Sequence, residues 1–153
     1  MGEKMPIPLN INLYIPFKDK KGEALSEKRL VTYVSQLDAK INSLIEDYKY
    51  ELGEFVSIAP VVRPSGGVKK LYWRFKTGKQ KRGYVRLVDQ DMMKYLDTIQ
   101  VYYRDQCIRL EAKMQHLNCE MKIIATTLNS LVVYREEVID LDKALPVRER
   151  IML

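Results

Sequence analysis

Nine cationic side chains fall within residues 55–88, FVSIAPVVRPSGGVKKLYWRFKTGKQKRGYVRLV: Arg63, Lys69, Lys70, Arg74, Lys76, Lys79, Lys81, Arg82 and Arg86. The same 34 residues contain no Asp or Glu, and Tyr72 and Tyr84 are interleaved with the cations. The chain carries a formal charge of +6, so everything outside this stretch sums to −3. Cations concentrated in this way neutralise phosphates, and arginine can also read guanine edges. The candidate nucleic-acid-binding set is these nine residues with Tyr72 and Tyr84. Arg74 and Arg86 suit base edges, while Lys69, Lys70, Lys79, Lys81 and Arg82 suit phosphates. The tyrosines could pack on sugars or stack on unpaired bases, which keeps single strands and RNA open. A solvated sheet face guarded by lysine is the plain alternative. The acid-free run and the Tyr–Arg alternation favour a polyanion.

Other chemistry finds less to build on. His116 and Cys119 stand at i and i+3, but no second pair completes a tetrahedral metal site. One histidine beside a helical seam assembles no nucleophile–His–Asp arrangement. Asp89 and Asp91 read as helix caps before they read as Mg²⁺ ligands. Tyr102 and Tyr103 have no histidine cluster beside them, and Gly66-Gly67 lacks the context of a phosphate loop. The expectation is a non-enzymatic chain with no cofactor and no metal.

The basic stretch must be held by β structure. Pro64-Ser65-Gly66-Gly67 and Thr77-Gly78-Lys79-Gln80 punctuate runs rich in Val, Tyr, Trp and Phe. This predicts strands near 55–62, 68–76 and 82–88 in an antiparallel meander. Alternation puts Leu71, Trp73 and Phe75 on one face and Lys70, Tyr72, Arg74 and Lys76 on the other. A three-residue loop at 78–80 pairs Trp73 with Val85 and Leu71 with Leu87, leaving Lys76–Arg82, Arg74–Tyr84 and Tyr72–Arg86 on the basic face. Trp73 is expected beneath the sheet near Leu96. In residues 1–22, Leu9, Ile11, Leu13 and Ile15 alternate between prolines, an extended segment able to add a fourth strand at the edge. Residues 18–22 would then be an exposed turn.

Two heptad seams flank the meander. Leu30, Val34, Leu37, Ile41, Leu44 and Tyr48 recur at 4-3-4-3-4 in a helix over 26–52, with Ser26 as N-cap and Gly53 as stop. A long helix over 89–145 begins with Met92, Leu96, Ile99 and Tyr103. Its seam continues after a stutter through Cys107, Leu110, Met114, Leu117, Met121, Ile124, Leu128 and Leu131. Thr126-Thr127 and Asn129-Ser130 mark a point near 126–130 where it could break. The fold class expected is α+β: two long heptad-patterned helices forming an antiparallel hairpin, with a three- to four-stranded meander between them. The longer helix outruns the shorter, so Leu110, Met114, Leu117, Met121, Ile124, Leu128 and Leu131 are candidate homodimer contacts. Packing against a broken-off third helix would cover the same residues.

The segment from Leu71 to Val85, LYWRFKTGKQKRGYV, resembles basic hairpins of small DNA-binding proteins of mobile elements. These include integrase arm-binding modules and, with helices on both sides, the MobI-like accessory proteins of conjugative elements. The resemblance implies an origin-of-transfer binder that recruits a relaxase. That segment is 15 of the 153 residues.

At 153 residues, 46% hydrophobic and 30% charged, the composition is that of one folded domain. Cys107 and Cys119 lie roughly 18 Å apart along one helix, too far to bridge. Unpaired thiols and no signal peptide point to the cytoplasm. No apolar run is long enough for a membrane span, and Pro6 stands where a myristoylation signal needs Ser or Thr. Two function classes compete. One is a nucleic-acid-binding accessory factor, favouring duplex DNA over RNA. The other is a coiled-coil assembly module whose basic face meets an acidic protein.

Overall fold

Asp38, Asn118 and Glu111 hold alternate residues of one β-strand, Lys69, Leu71 and Trp73, and those ties give the architecture. The computed structural model describes residues 20–65, 68–78 and 83–145. Its elements are α1 (Lys20–Glu51), β1 (Ile58–Ser65), β2 (Val68–Phe75), α2 (Gln90–Leu96) and α3 (Val101–Ala144). They fall into two compact units, residues 36–122 and, separately, 20–35 with 123–145.

In the first unit, β1 and β2 form an antiparallel hairpin with Pro60 opposite Trp73, Val62 opposite Leu71 and Arg63 opposite Lys70. Its inner face buries Ile58, Leu71 and Trp73. Three ties run along β2. Lys69 pairs with Asp38 at 3.2 Å, the Leu71 backbone bonds Asn118, and Trp73 bonds Glu111 while meeting Tyr48 edge to face. Position on α1 rises along β2 while position on α3 falls, so the two helices run antiparallel beneath it. The Lys40–Glu120 ion pair at 4.0 Å agrees. Apolar burial drives the assembly: Leu37, Ile41, Leu44 and Tyr48 of α1, and Cys107, Leu110, Met114, Leu117 and Met121 of α3, are all at most 8% exposed.

Among the described residues the expected three- to four-stranded meander does not form. The described residues contain one two-stranded sheet in a mostly helical chain. Of the third strand over 82–88, a single bridge exists, Trp73 with Val85, closed by bonds of 2.8 and 2.9 Å in both directions. The next pair, Leu71 with Leu87, is pre-empted. The Asn118 carboxamide accepts from Leu71 N–H at 2.7 Å and donates to Leu71 C=O at 3.0 Å, occupying the edge a strand would use. The chain meanwhile turns at 86–89, where Asp89 N–H donates to Arg86 C=O and the Asp89 carboxylate accepts from Arg86 N–H. The proposed edge strand at Leu9–Ile15 lies outside the described residues. On the β1 edge of the hairpin, the alternate residues facing away from β2 include Pro60 and Pro64, which have no N–H to offer. The Ile58 carbonyl there accepts the Tyr48 hydroxyl.

The helices also differ from expectation at their ends. Helix α1 starts at Lys20, so Ser26 lies within it and 20–22 are helical rather than a turn. Gly53 does follow its end, and for a steric reason: a Cβ there would lie 2.6 Å from the Lys49 carbonyl oxygen. The expected long second helix is interrupted at 97–100 and continuous through 126–130. Both the amide and the hydroxyl of Thr98 bond the Tyr95 carbonyl, closing α2, and Gln100 C=O accepts from Arg104 N–H to open α3. Thr127 and Ser130 donate to the carbonyls of Ile123 and Thr126, so these weak helix formers satisfy their hydroxyls without leaving the helix.

The second unit pairs the start of α1 with the end of α3. Leu30, Ile124 and Leu131 are buried, and Arg135 bonds Glu27 at 2.5 Å. That guanidinium holds the Glu27 carboxyl below its ordinary range.

Candidate nucleic-acid interface

Burial in β2 alternates as the sequence predicts, with Leu71 and Trp73 buried and Lys70, Tyr72 and Arg74 half-buried on the opposite face. Antiparallel pairing adds Val61 and Arg63 of β1 to that outer face. Tyr84 joins it from the residue before the Trp73–Val85 bridge.

These side chains touch one another. The Arg63 guanidinium stands over the Tyr84 ring at 4.9 Å from its centroid, and the Arg74 guanidinium at 5.3 Å. Tyr72 meets Tyr84 edge to face at 6.2 Å, and the Lys70 ammonium lies over Tyr72 at 5.1 Å. Such contacts are worth about 0.5–1 kcal/mol each on a surface, enough to restrain a long side chain without immobilising it. Arg86 is exposed at the turn that follows.

Two of the expected nucleic-acid contacts are employed elsewhere. The Lys76 ammonium donates to the Gly53 carbonyl and lies 5.6 Å from the Tyr48 ring centroid, tying β2 to the end of α1. Lys69 faces Asp38, an acid supplied from outside the acid-free stretch. Lys79, Lys81 and Arg82 lie outside the described residues.

The scaffold beneath this face comes from a polar row on α3. Trp73 is fully buried, and its indole N–H donates to Glu111 at 2.5 Å. Gln115 donates to the other oxygen of Glu111 at 2.7 Å, and Asn118 holds Leu71. Glu111, Gln115 and Asn118 repeat at 4-3, alongside the apolar row Leu110, Met114 and Leu117. That repeat was the readable signal for these positioning residues. Trp73 thus rests on the third turn of α3 and on Tyr48.

No family model, curated protein or solved structure matches the chain.

The remaining sequence candidates disperse. His116 pairs with Glu120, the one buried charged side chain among the described residues, and Cys119 is exposed. Asp89 makes no side-chain bond to the helix it precedes; its carboxylate closes the turn at Arg86. The seam offered for dimerisation is covered within the chain: Leu110, Met114, Leu117, Met121, Ile124 and Leu131 are buried and Leu128 is half-buried. A homodimer through that seam loses its physical premise, since the seam presents no uncovered stripe. No helix among the described residues is long and apolar enough to cross a membrane.

Proposed function

We propose that this chain binds nucleic acid through the outer face of β1–β2, as a non-catalytic factor that engages the phosphate backbone. The observation that carries the reading is the grouping of Arg63, Lys70 and Arg74 with Tyr72 and Tyr84 on the face turned away from the core. Cations from both strands gathered on one face repel each other in water, and a bound polyanion removes that penalty. The hairpin is fixed to α3 by Asn118 and Glu111, so the charges are presented from a rigid base. Arg86, exposed at the turn after Val85, adds a further cation.

The alternative, a coiled-coil assembly module whose basic face meets an acidic protein, loses the exposed seam and keeps the same basic face. Electrophoretic shifts of labelled duplex DNA, single-stranded DNA and RNA by the full chain test the proposal. Binding that weakens with salt is expected. Absence of binding to every probe at low salt would overturn it.

A further inference from the structure

Resting on the nucleic-acid reading of the outer face, we infer that Tyr84 is a positioning residue. It holds Arg63 and Arg74 as a pair aimed at a double-helical phosphate backbone, and it is not a platform for an unpaired base. The two arginines come from different strands, Arg63 from β1 and Arg74 from β2, yet both guanidiniums lie within 5.3 Å of one ring centroid. That ring is well anchored. Its neighbour Val85 exchanges two backbone bonds with Trp73, which is fully buried and bonded to Glu111.

A stacking platform needs an aromatic face open to a base, and adjacent platforms serve successive bases best when their rings are parallel. Neither condition is met. Tyr84 carries two guanidiniums and Tyr72 an ammonium, and the two rings are inclined at 66°. A base landing on Tyr84 would displace the cations that neutralise its own backbone. Cations restrained over one ring instead suit a duplex, whose phosphates keep a regular spacing. Holding them beforehand also reduces the ordering cost of binding.

The test measures affinity of the full chain for a fluorescent duplex DNA, the matching single strand and an RNA duplex at one moderate salt concentration. Wild type, Tyr84→Phe, Tyr84→Leu, Arg63→Ala and the Tyr84→Leu/Arg63→Ala double variant are compared. The inference expects duplex to bind about tenfold or more tightly than single strand. Tyr84→Phe, which keeps the ring, should stay within about twofold of wild type, whereas Tyr84→Leu should lose about three- to tenfold on duplex. The double variant should lose less than the two single losses combined, because the part of the ring's effect that runs through Arg63 is already gone and only the part through Arg74 remains. If Tyr84→Leu does not fold, as judged by Trp73 emission, the comparison of Tyr84→Phe with Arg63→Ala and the duplex-to-single-strand ratio decide. Single strand bound as tightly as duplex, or a Tyr84→Leu loss confined to single strand, would overturn the inference while leaving nucleic-acid binding intact. No binding of any probe would instead remove the reading beneath it.

Discussion

Asn118 bonds both the N–H and the C=O of Leu71, so a helix side chain fills the place of a paired strand residue. This bond pair sets where the sheet stops and fixes the hairpin on α3. Asn118→Ala would leave both Leu71 groups unpaired in a partly buried setting, at a cost of about 2–3 kcal/mol. Asn118→Asp keeps the acceptor but turns an oxygen toward Leu71 C=O, so it should not restore stability. Urea unfolding midpoints would check both; an unchanged midpoint for Asn118→Ala would remove this bond pair from the account.

Trp73 is the sole tryptophan and is fully buried, so it reports on its own site. Its emission maximum should lie well to the blue of free indole in water. Trp73→Ala should destabilise by about 3–5 kcal/mol as a large core truncation. Emission at the wavelength of solvated indole would mean that the sheet presents the opposite face to the core.

The two glycines at turns should respond for different reasons. Gly53→Ala forces a Cβ against the Lys49 carbonyl and should cost about 1–3 kcal/mol, like other overpacked sites. Gly78 has φ of +87° with open space around it, so Gly78→Ala meets only the backbone preference, about 1 kcal/mol. Thermal melts of the two variants should rank Gly53→Ala the lower.

The two thiols should separate by reactivity and by pH. Cys107 is buried, and burial pushes its thiol up from 9.0 to about 11, while Cys119 is exposed. In the native protein at pH 8 a thiol reagent should label Cys119 quickly and Cys107 only on unfolding. Above about pH 9 the unfolded chain releases the Cys107 proton while the folded protein retains it, so stability falls from pH 9 toward 11. Burial raises the Tyr48 phenol in the same sense, steepening the loss above pH 10. Fast labelling of both thiols in native buffer would contradict this packing.

Much of the frame could be read from spacing. The α1 seam, the Gly53 stop and the face alternation of β2 each follow from a repeating apolar pattern or a steric rule. The Trp73–Val85 pairing was readable too, but the strand around it was not, because its competitor is Asn118, 47 residues later in sequence. Only the tertiary fold brings that amide to Leu71. The break at 97–100 has neither Gly nor Pro to announce it; Thr98 makes it by bonding Tyr95 C=O twice. On the site itself, the outer-face cations and tyrosines were legible from alternation. The diversion of Lys76 to Gly53 and of Lys69 to Asp38 was not, since both partners lie on or just beyond α1. An acid-free stretch in sequence therefore does not guarantee an acid-free surface.

Lys69→Ala should accordingly leave nucleic-acid affinity nearly unchanged, because its charge already faces Asp38 and an exposed pair of this kind contributes only about 0–1 kcal/mol to stability. A loss on Lys69→Ala as large as that on Arg63→Ala would show that the basic surface extends around the Asp38 side of the hairpin.

The central claim is best tested by the salt dependence of duplex binding. If about four to six cations reach phosphates, log K should fall against log salt with a slope of about −3.5 to −5.5. Arg63→Ala and Arg74→Ala should each flatten that slope by about one unit. A wild-type slope near zero, or one that neither substitution alters, would contradict phosphate binding by the outer face of β1–β2.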